Sequence, residues 1–292
     1  MGKTWAAQVP AAARVFAEAD AALGFELSRV CFEGPEERIH RTDVAQPALF
    51  TTAVACFRGL EARGEIGALG AAAGLSLGEF TALHLAGAFD FLTGLKLVRV
   101  RGQAMQEAAE ASESGMVALV GADEEQAGEL CTRALEGADS GTHVLVPANF
   151  NCPGQVVLSG SAPACDRAMV AAEQMGLRAT RLSVAGAFHS PLMKPAADRL
   201  ARALEEVEFS PPAIPVLSNV TGEPHGADTG AIKERLVDQL TQPVRWEQDI
   251  RWLLGNASGQ FVELAPGKVL SGLMRRIDRG TKVKSCPDPD KA

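Results

Sequence analysis

The chain has 292 residues, 47% hydrophobic and 22% charged, which excludes a disordered protein and supplies side chains for a sizeable core. Its 28 basic and 36 acidic residues give a formal net charge of −8, which argues against broad electrostatic binding to nucleic acid. No apolar run reaches the roughly 18–20 residues of a membrane span, residues 1–13 lack the apolar core of a secretory leader, and a cytoplasmic location away from membranes is expected.

Six cysteines, Cys31, Cys56, Cys131, Cys152, Cys165 and Cys286, form no C-x-x-C pair, which predicts reduced thiols and no metal site. Helical and strand patterns alternate between short Gly/Pro breaks, so the fold class reads as α/β. A helix is predicted with Pro47 in its first turn and Gly64 at its end. A short strand follows at 69–74, then helices from 77 and over about 91–111. Between about 115 and 185 the order becomes βαββαβ, with one strand starting at Thr142; this is the ferredoxin-like unit. It reads as a small domain at 115–185, inserted in an α/β-hydrolase-like large domain with a parallel-sheet core formed by 1–114 and 186–292. In the second half, helices are predicted over 190–207, 231–240, 248–254 and 268–277, with strands at 214–220 and 260–266. The polar tail from Asp278 is expected to fray.

Gly74-Leu75-Ser76-Leu77-Gly78 is a G-x-S-x-G pattern between a predicted strand and helix. Glycines beside Ser76 allow a sharp turn that exposes the hydroxyl, and the Leu77 N–H at the helix start faces a developing oxyanion. Such a pattern also arises by chance in Gly/Ala/Ser-rich sequence. Of five histidines, His189 is the favoured base: it precedes a Ser N-cap and Pro191, where the positive helix end keeps imidazole neutral. His84 reads as a packed or surface residue, and His40, His143 and His225 as solvated. Arg101 shares a helix face with Leu97, Val98, Ala104 and Met105, where a guanidinium needs an anion. An internal salt bridge and a carboxylate-bearing substrate both fit it.

These residues belong to a longer ordered set: Phe32-Glu33-Gly34-Pro35, Gln46-Pro47-Ala48-Leu49, Arg101-Gly102-Gln103-Ala104-Met105-Gln106, Asn149-Phe150-Asn151-Cys152-Pro153-Gly154-Gln155, Gly186-Ala187-Phe188-His189-Ser190, Gln239 before Pro243-Val244, and Pro266-Gly267-Lys268-Val269-Leu270. Over nearly its whole length the chain resembles the malonyl-CoA:acyl carrier protein transacylases. The resemblance implies Ser76 as acyl-carrying nucleophile, His189 as base, Gln239 as the source of the carbonyl that orients it, and Arg101 as the clamp on the malonyl carboxylate. It also implies substrate contacts at Met105, Asn149, Asn151 and Phe188, the last a marker for malonyl over methylmalonyl groups. It implies malonyl-CoA as substrate, an acyl carrier protein as partner, a monomer, and no permanently bound cofactor.

Leu75 stands where many relatives have His, and Met1 aligns after the family's first strand and Gly-Gln-Gly loop. That leaves the second oxyanion donor without a counterpart and predicts an exposed sheet edge. Lys268, Arg275, Arg276, Arg279, Lys282 and Lys284 against the single acid Asp278, with Arg178 and Arg181, offer a docking surface for an acidic carrier or CoA phosphate, or a plain solvated charge run. Three other readings stay open: a trans-acting acyltransferase of polyketide synthesis, a general serine esterase, and a catalytically impaired relative.

Overall fold

The computed structural model describes residues 1–138 and 143–291. Five helices open the chain: α1 (Lys3–Gln8), α2 (Pro10–Leu23), α3 (Leu27–Glu33), α4 (Glu36–His40) and α5 (Thr42–Arg63). α2 and α5 both stop at glycines in left-handed backbone, Gly24 and Gly64. α5 begins five residues before Pro47, because Gln106 Oε1 accepts the Thr42 N–H at 2.9 Å and secures an earlier first turn. Pro47 is thereby buried inside the helix, at the cost of one backbone bond.

Helices α6 (Leu77–Leu85) and α7 (Phe91–Glu110) follow, α7 capped by Asp90, which accepts from the Thr93 N–H at 2.7 Å. Trp5, Phe16, Phe50, Phe80, Leu95 and Leu200 belong to the main core that these helices enclose. All six cysteines are free and buried.

The next stretch runs β1 (Ser114–Val120), α8 (Glu124–Leu135), β2 (Leu145–Cys152), β3 (Gln155–Ser161), α9 (Ala162–Gln174) and β4 (Arg178–Arg181). The four strands form one antiparallel sheet in the order β2-β3-β1-β4, the arrangement that the βαββαβ pattern predicts. Val117, Leu119, Leu130, Leu158 and Ala168 make a second core beneath it. Thr142, where β2 was expected to start, lies outside the described residues.

After a 3₁₀ turn at Pro191–Met193 come α10 (Lys194–Glu205), α11 (Thr229–Asp238), α12 (Trp246–Asn256), β5 (Phe261–Leu264), α13 (Val269–Ile277) and β6 (Val283–Cys286). The tail does not fray as expected. β6 pairs in parallel with β5, Cys286 is fully buried, and its carbonyl accepts the Trp5 indole N–H at 3.1 Å. The strands predicted at 69–74 and 214–220 shrink to isolated bridges, Ala72 in parallel with Val216 and Leu217 antiparallel with Pro224. The first pair is held by two ladder bonds, Ala72 N–H to Pro215 O and Leu217 N–H to Ala72 O. On its other side the segment through Ala71, Ala73 and Leu75 borders an apolar cleft of about 580 Å³, whose far wall includes Trp246, Phe261 and Leu264.

Candidate active site

Between Ala72 and α6 the chain reverses at Ser76, whose backbone sits at φ 52°, ψ −103°. A residue with a Cβ adopts this left-handed region at a cost of about 1–3 kcal/mol, so the surroundings must hold it there. Gly74 permits the reversal, since a Cβ at that position would lie 1.9 Å from the Gly78 carbonyl carbon. Gly74→Ala is therefore expected to lower stability by about 2–3 kcal/mol; an unchanged denaturation midpoint would mean that the turn relaxes freely.

Asn219, fully buried, braces the turn. Its Oδ1 accepts the Ser76 N–H at 2.6 Å, and its Nδ2 donates to Gly74 O at 2.9 Å and to Asp249 Oδ2 at 2.8 Å. From the other side Gln239 Nε2 donates to Ser76 O at 3.0 Å. Asn219→Ala leaves the strained serine without its amide acceptor, and acyl loading should fall by about tenfold or more. Loading at the wild-type rate would show that the turn needs no such brace.

The Ser76 hydroxyl lies 2.9 Å from His189 Nε2. On the far side of the ring, Nδ1–H donates to the Gln239 main-chain carbonyl at 2.6 Å, which leaves Nε2 as the acceptor facing the serine. His189 also has left-handed backbone, φ 57°, and Ser190 locks the turn by donating from Oγ to Ala187 O at 2.7 Å. Burial first, then the Arg101 charge, push the His189 pKa down to about 4 against the opposing carbonyl bond. The ring is a neutral base at neutral pH.

Arg101 is 1% exposed. Its Nη1 donates to Gln46 Oε1 at 2.6 Å, and Nη2 donates to Gln239 Oε1 at 2.8 Å and to Ser76 Oγ at 3.0 Å. The guanidinium also stands 5.6 Å from the centroid of the Phe80 ring. Burial lowers its pKa to about 10 while Glu79 opposes the shift, so it stays charged. Among the described residues no carboxylate makes an ion pair with it. The internal salt bridge that the sequence left open is absent, and the cation faces neutral acceptors only.

Behind Ser76 lies a polar network that sequence reasoning missed. Glu79, wholly buried, accepts from Gln239 Nε2 at 2.6 Å and the Asn219 N–H at 3.1 Å, and it pairs with His225 Nε2 at 2.7 Å. His225 is 7% exposed, which corrects the expectation of a solvated ring. The turn after Ser218 folds back, its end held by the His225 N–H on Val216 O, and carries the imidazole inward. Asp249 is buried too, with its pKa raised well above normal by burial and then by Glu79. His84 is packed between Phe50, Phe89 and Phe91.

Other predicted residues have plainer surroundings. Leu77 opens α6, with its N–H among the first-turn amides that a helix leaves unpaired. Met105 Sδ accepts from Gln46 Nε2 at 3.2 Å, and Phe188 is half-buried against the main core and the sheet. Asn149 bridges β2 to Val244 through its backbone, and the Asn151 Oδ1 is buried without a partner. Neither side chain bonds to Ser76, His189 or Arg101 among the described residues. Arg178, Lys268 and Arg275 are exposed. Arg181 is ion-paired with Asp166, and Arg276 reaches Pro153 O at 3.5 Å. No cluster of three or more His, Cys, Asp or Glu suited to a metal, and no helix able to cross a membrane, occurs among the described residues.

Residues 1–286 match the acyl transferase domain. The chain belongs to the acyl transferase family. It is 40% identical to the malonyl CoA-acyl carrier protein transacylase of Bacillus subtilis, over 99% of this chain and 90% of that one. The solved malonyl CoA-acyl carrier protein transacylase of Coxiella burnetii superposes with a TM-score of 0.94 at 37% identity, covering all of this chain and 90% of its own. A malonyl-transacylase solved in complex with a type II polyketide acyl-carrier protein gives 0.93 at 38% identity, covering 100% and 92%. The acyl transferase fold of the chain is thus of the α/β kind these transacylases share.

Proposed function

We propose that this acyltransferase moves a malonyl group from malonyl-CoA to the phosphopantetheine thiol of an acyl carrier protein, through a malonyl ester on Ser76. One observation carries the reading: a serine–histidine pair at 2.9 Å beside a buried guanidinium that, among the described residues, has no carboxylate in ion-pair contact. Among the described residues no carboxylate bonds to that cation, Glu79 reaching it only through Gln239, and a malonyl thioester brings one to within reach of the nucleophile.

In this reading His189 Nε2 takes the Ser76 proton as Oγ attacks the thioester carbon, and the first amides of α6, led by Leu77, face the oxyanion. CoA departs as the thiol, the carrier's thiol attacks the ester, and the serine is regenerated. Arg101 holds the carboxylate so that the carbonyl meets Oγ in one geometry. Phe188, Met105, Asn149 and Asn151 shape the acyl pocket, and Gln239 fixes His189 through its carbonyl. The exposed Arg178, Lys268, Arg275 and Arg276 favour an acidic carrier, with Arg181 contributing less because Asp166 already neutralises it.

Fatty acid synthesis in the cytoplasm by a monomeric enzyme is the setting we assign. A polyketide carrier as acceptor is the second reading, favoured by the similarity to the polyketide transacylase complex. A general esterase fits less well, because the His189 partner is a carbonyl and not an acid, and an esterase has no use for Arg101. Intact-mass analysis after incubation with malonyl-CoA tests the proposal. A malonyl adduct mapped to Ser76 and discharged by holo carrier protein is expected; no adduct, or an adduct that only water discharges, rejects it.

A further inference from the structure

Arg101 makes one contact that anchoring a substrate does not require. Its Nη2 donates to Ser76 Oγ itself at 3.0 Å, while the serine proton faces His189 Nε2. A hydroxyl has one proton and two lone pairs, and one of those pairs is engaged by a cation. That bond withdraws electron density from the atom that must attack. Among the described residues every acceptor on the guanidinium, Gln46 Oε1, Gln239 Oε1 and Ser76 Oγ, is neutral, and a carboxylate makes a stronger, charge-assisted bond to the same fork.

We infer that the substrate's own carboxylate switches the nucleophile on: by competing for the Nη2 N–H it frees Ser76 Oγ, so Arg101 restrains the serine until an acyl group with a free carboxylate arrives. The inference rests on the malonyl-loading role given above. Once released, Oγ forms its bond to the thioester carbon as its proton passes to His189 Nε2. The C–S bond breaks, and the thiolate takes that proton to leave as thiol.

The field at the base runs the same way. After burial, the Arg101 charge is the larger of the two remaining influences on His189, and it weakens the base. A carboxylate seated on Arg101 cancels that influence, so imidazole gains basicity as the ligand binds. The groups facing the ring are Arg101 from α7, the Ser76 hydroxyl and the Gln239 carbonyl. Glu79 from α6 acts on Arg101, to which Gln239 links it. Acyl selection is thus partly kinetic: a donor without a carboxylate meets a restrained serine and a weakened base.

Splitting the malonyl group in two tests this. Acetyl-CoA supplies the acyl half and sodium formate the detached carboxylate, with sodium chloride at matched ionic strength as control. Single-turnover acetylation of Ser76 by the intact protein, followed by mass spectrometry, should accelerate by about tenfold at saturating formate. Arg101→Ala should abolish the formate effect. The acid limb of acetyl loading should lie at lower pH than that of malonyl loading in the wild type, and rise in Arg101→Ala. The formate and pH comparisons on the wild type stand even if the variant fails to fold. Formate that leaves acetylation unchanged or inhibits it, while malonyl-CoA loads Ser76 normally, overturns the switch and spares the proposed function. Absence of malonyl loading itself overturns both.

Discussion

Ser76→Ala should leave no acyl-enzyme, and His189→Ala should slow loading on the order of 10⁴-fold or more, because removing either half of a nucleophile–base unit disables both. The loss is chemical and not a collapse of the turn. Asn219 holds Ser76 by its N–H and Gln239 by its C=O, and alanine keeps both groups. The Ser76→Ala protein should therefore melt near the wild-type temperature while its mass stays unmodified after malonyl-CoA. A malonyl adduct formed at the wild-type rate in that variant would show that another residue carries the acyl group.

Arg101→Ala should cut malonyl loading by about 100-fold or more while acetyl loading is retained or raised. Stripping one partner from a buried charge pair costs about 3–5 kcal/mol, and in the variant the malonyl carboxylate is the group left unpaired. Acetyl-CoA carries no such charge and gains from an unrestrained serine. The variant also strands the acceptors Gln46 Oε1 and Gln239 Oε1, so a lowered melting temperature is expected alongside. Rapid-quench loading with the two donors decides the matter: an equal loss for both would make Arg101 a structural residue.

The three residues at the centre were legible because each carries a local signature. Ser76 sits in a glycine-flanked turn, His189 precedes a cap and a proline, and Arg101 lies on an apolar helix face. Gln239 came only from the family resemblance, since nothing in its own neighbourhood predicts that its carbonyl meets a histidine 50 residues away. The network behind the serine had no local signal at all: Glu79 and His225 are 146 residues apart, and Asn219 and Ser76 are 143. Long-range polar pairing leaves no periodicity to read. The same applies to the parallel pieces. β6 was hidden because it is four residues long, with Val283, Lys284 and Ser285 only partly covered and two polar residues side by side, too little to show a strand period, whereas the small antiparallel sheet showed itself through the order of its strand and helix patterns, three of its strands carrying apolar runs.

The imidazole leans on a main-chain carbonyl instead of an acid. A carbonyl fixes the ring but adds no full negative charge to stabilise the imidazolium that forms when a proton arrives. Once an ester stands on Ser76, a modest base discriminates among the nucleophiles that compete for it, in favour of the one that surrenders its proton more readily. A thiol, with a pKa near 8.5, is that nucleophile, and bulk water, near 15.7, is its competitor. On the proposed function, the ester on Ser76 would thereby be biased toward the incoming pantetheine arm and against hydrolysis, so that the same carbonyl that makes His189 a weak esterase base would preserve the activated acyl group until its acceptor docks.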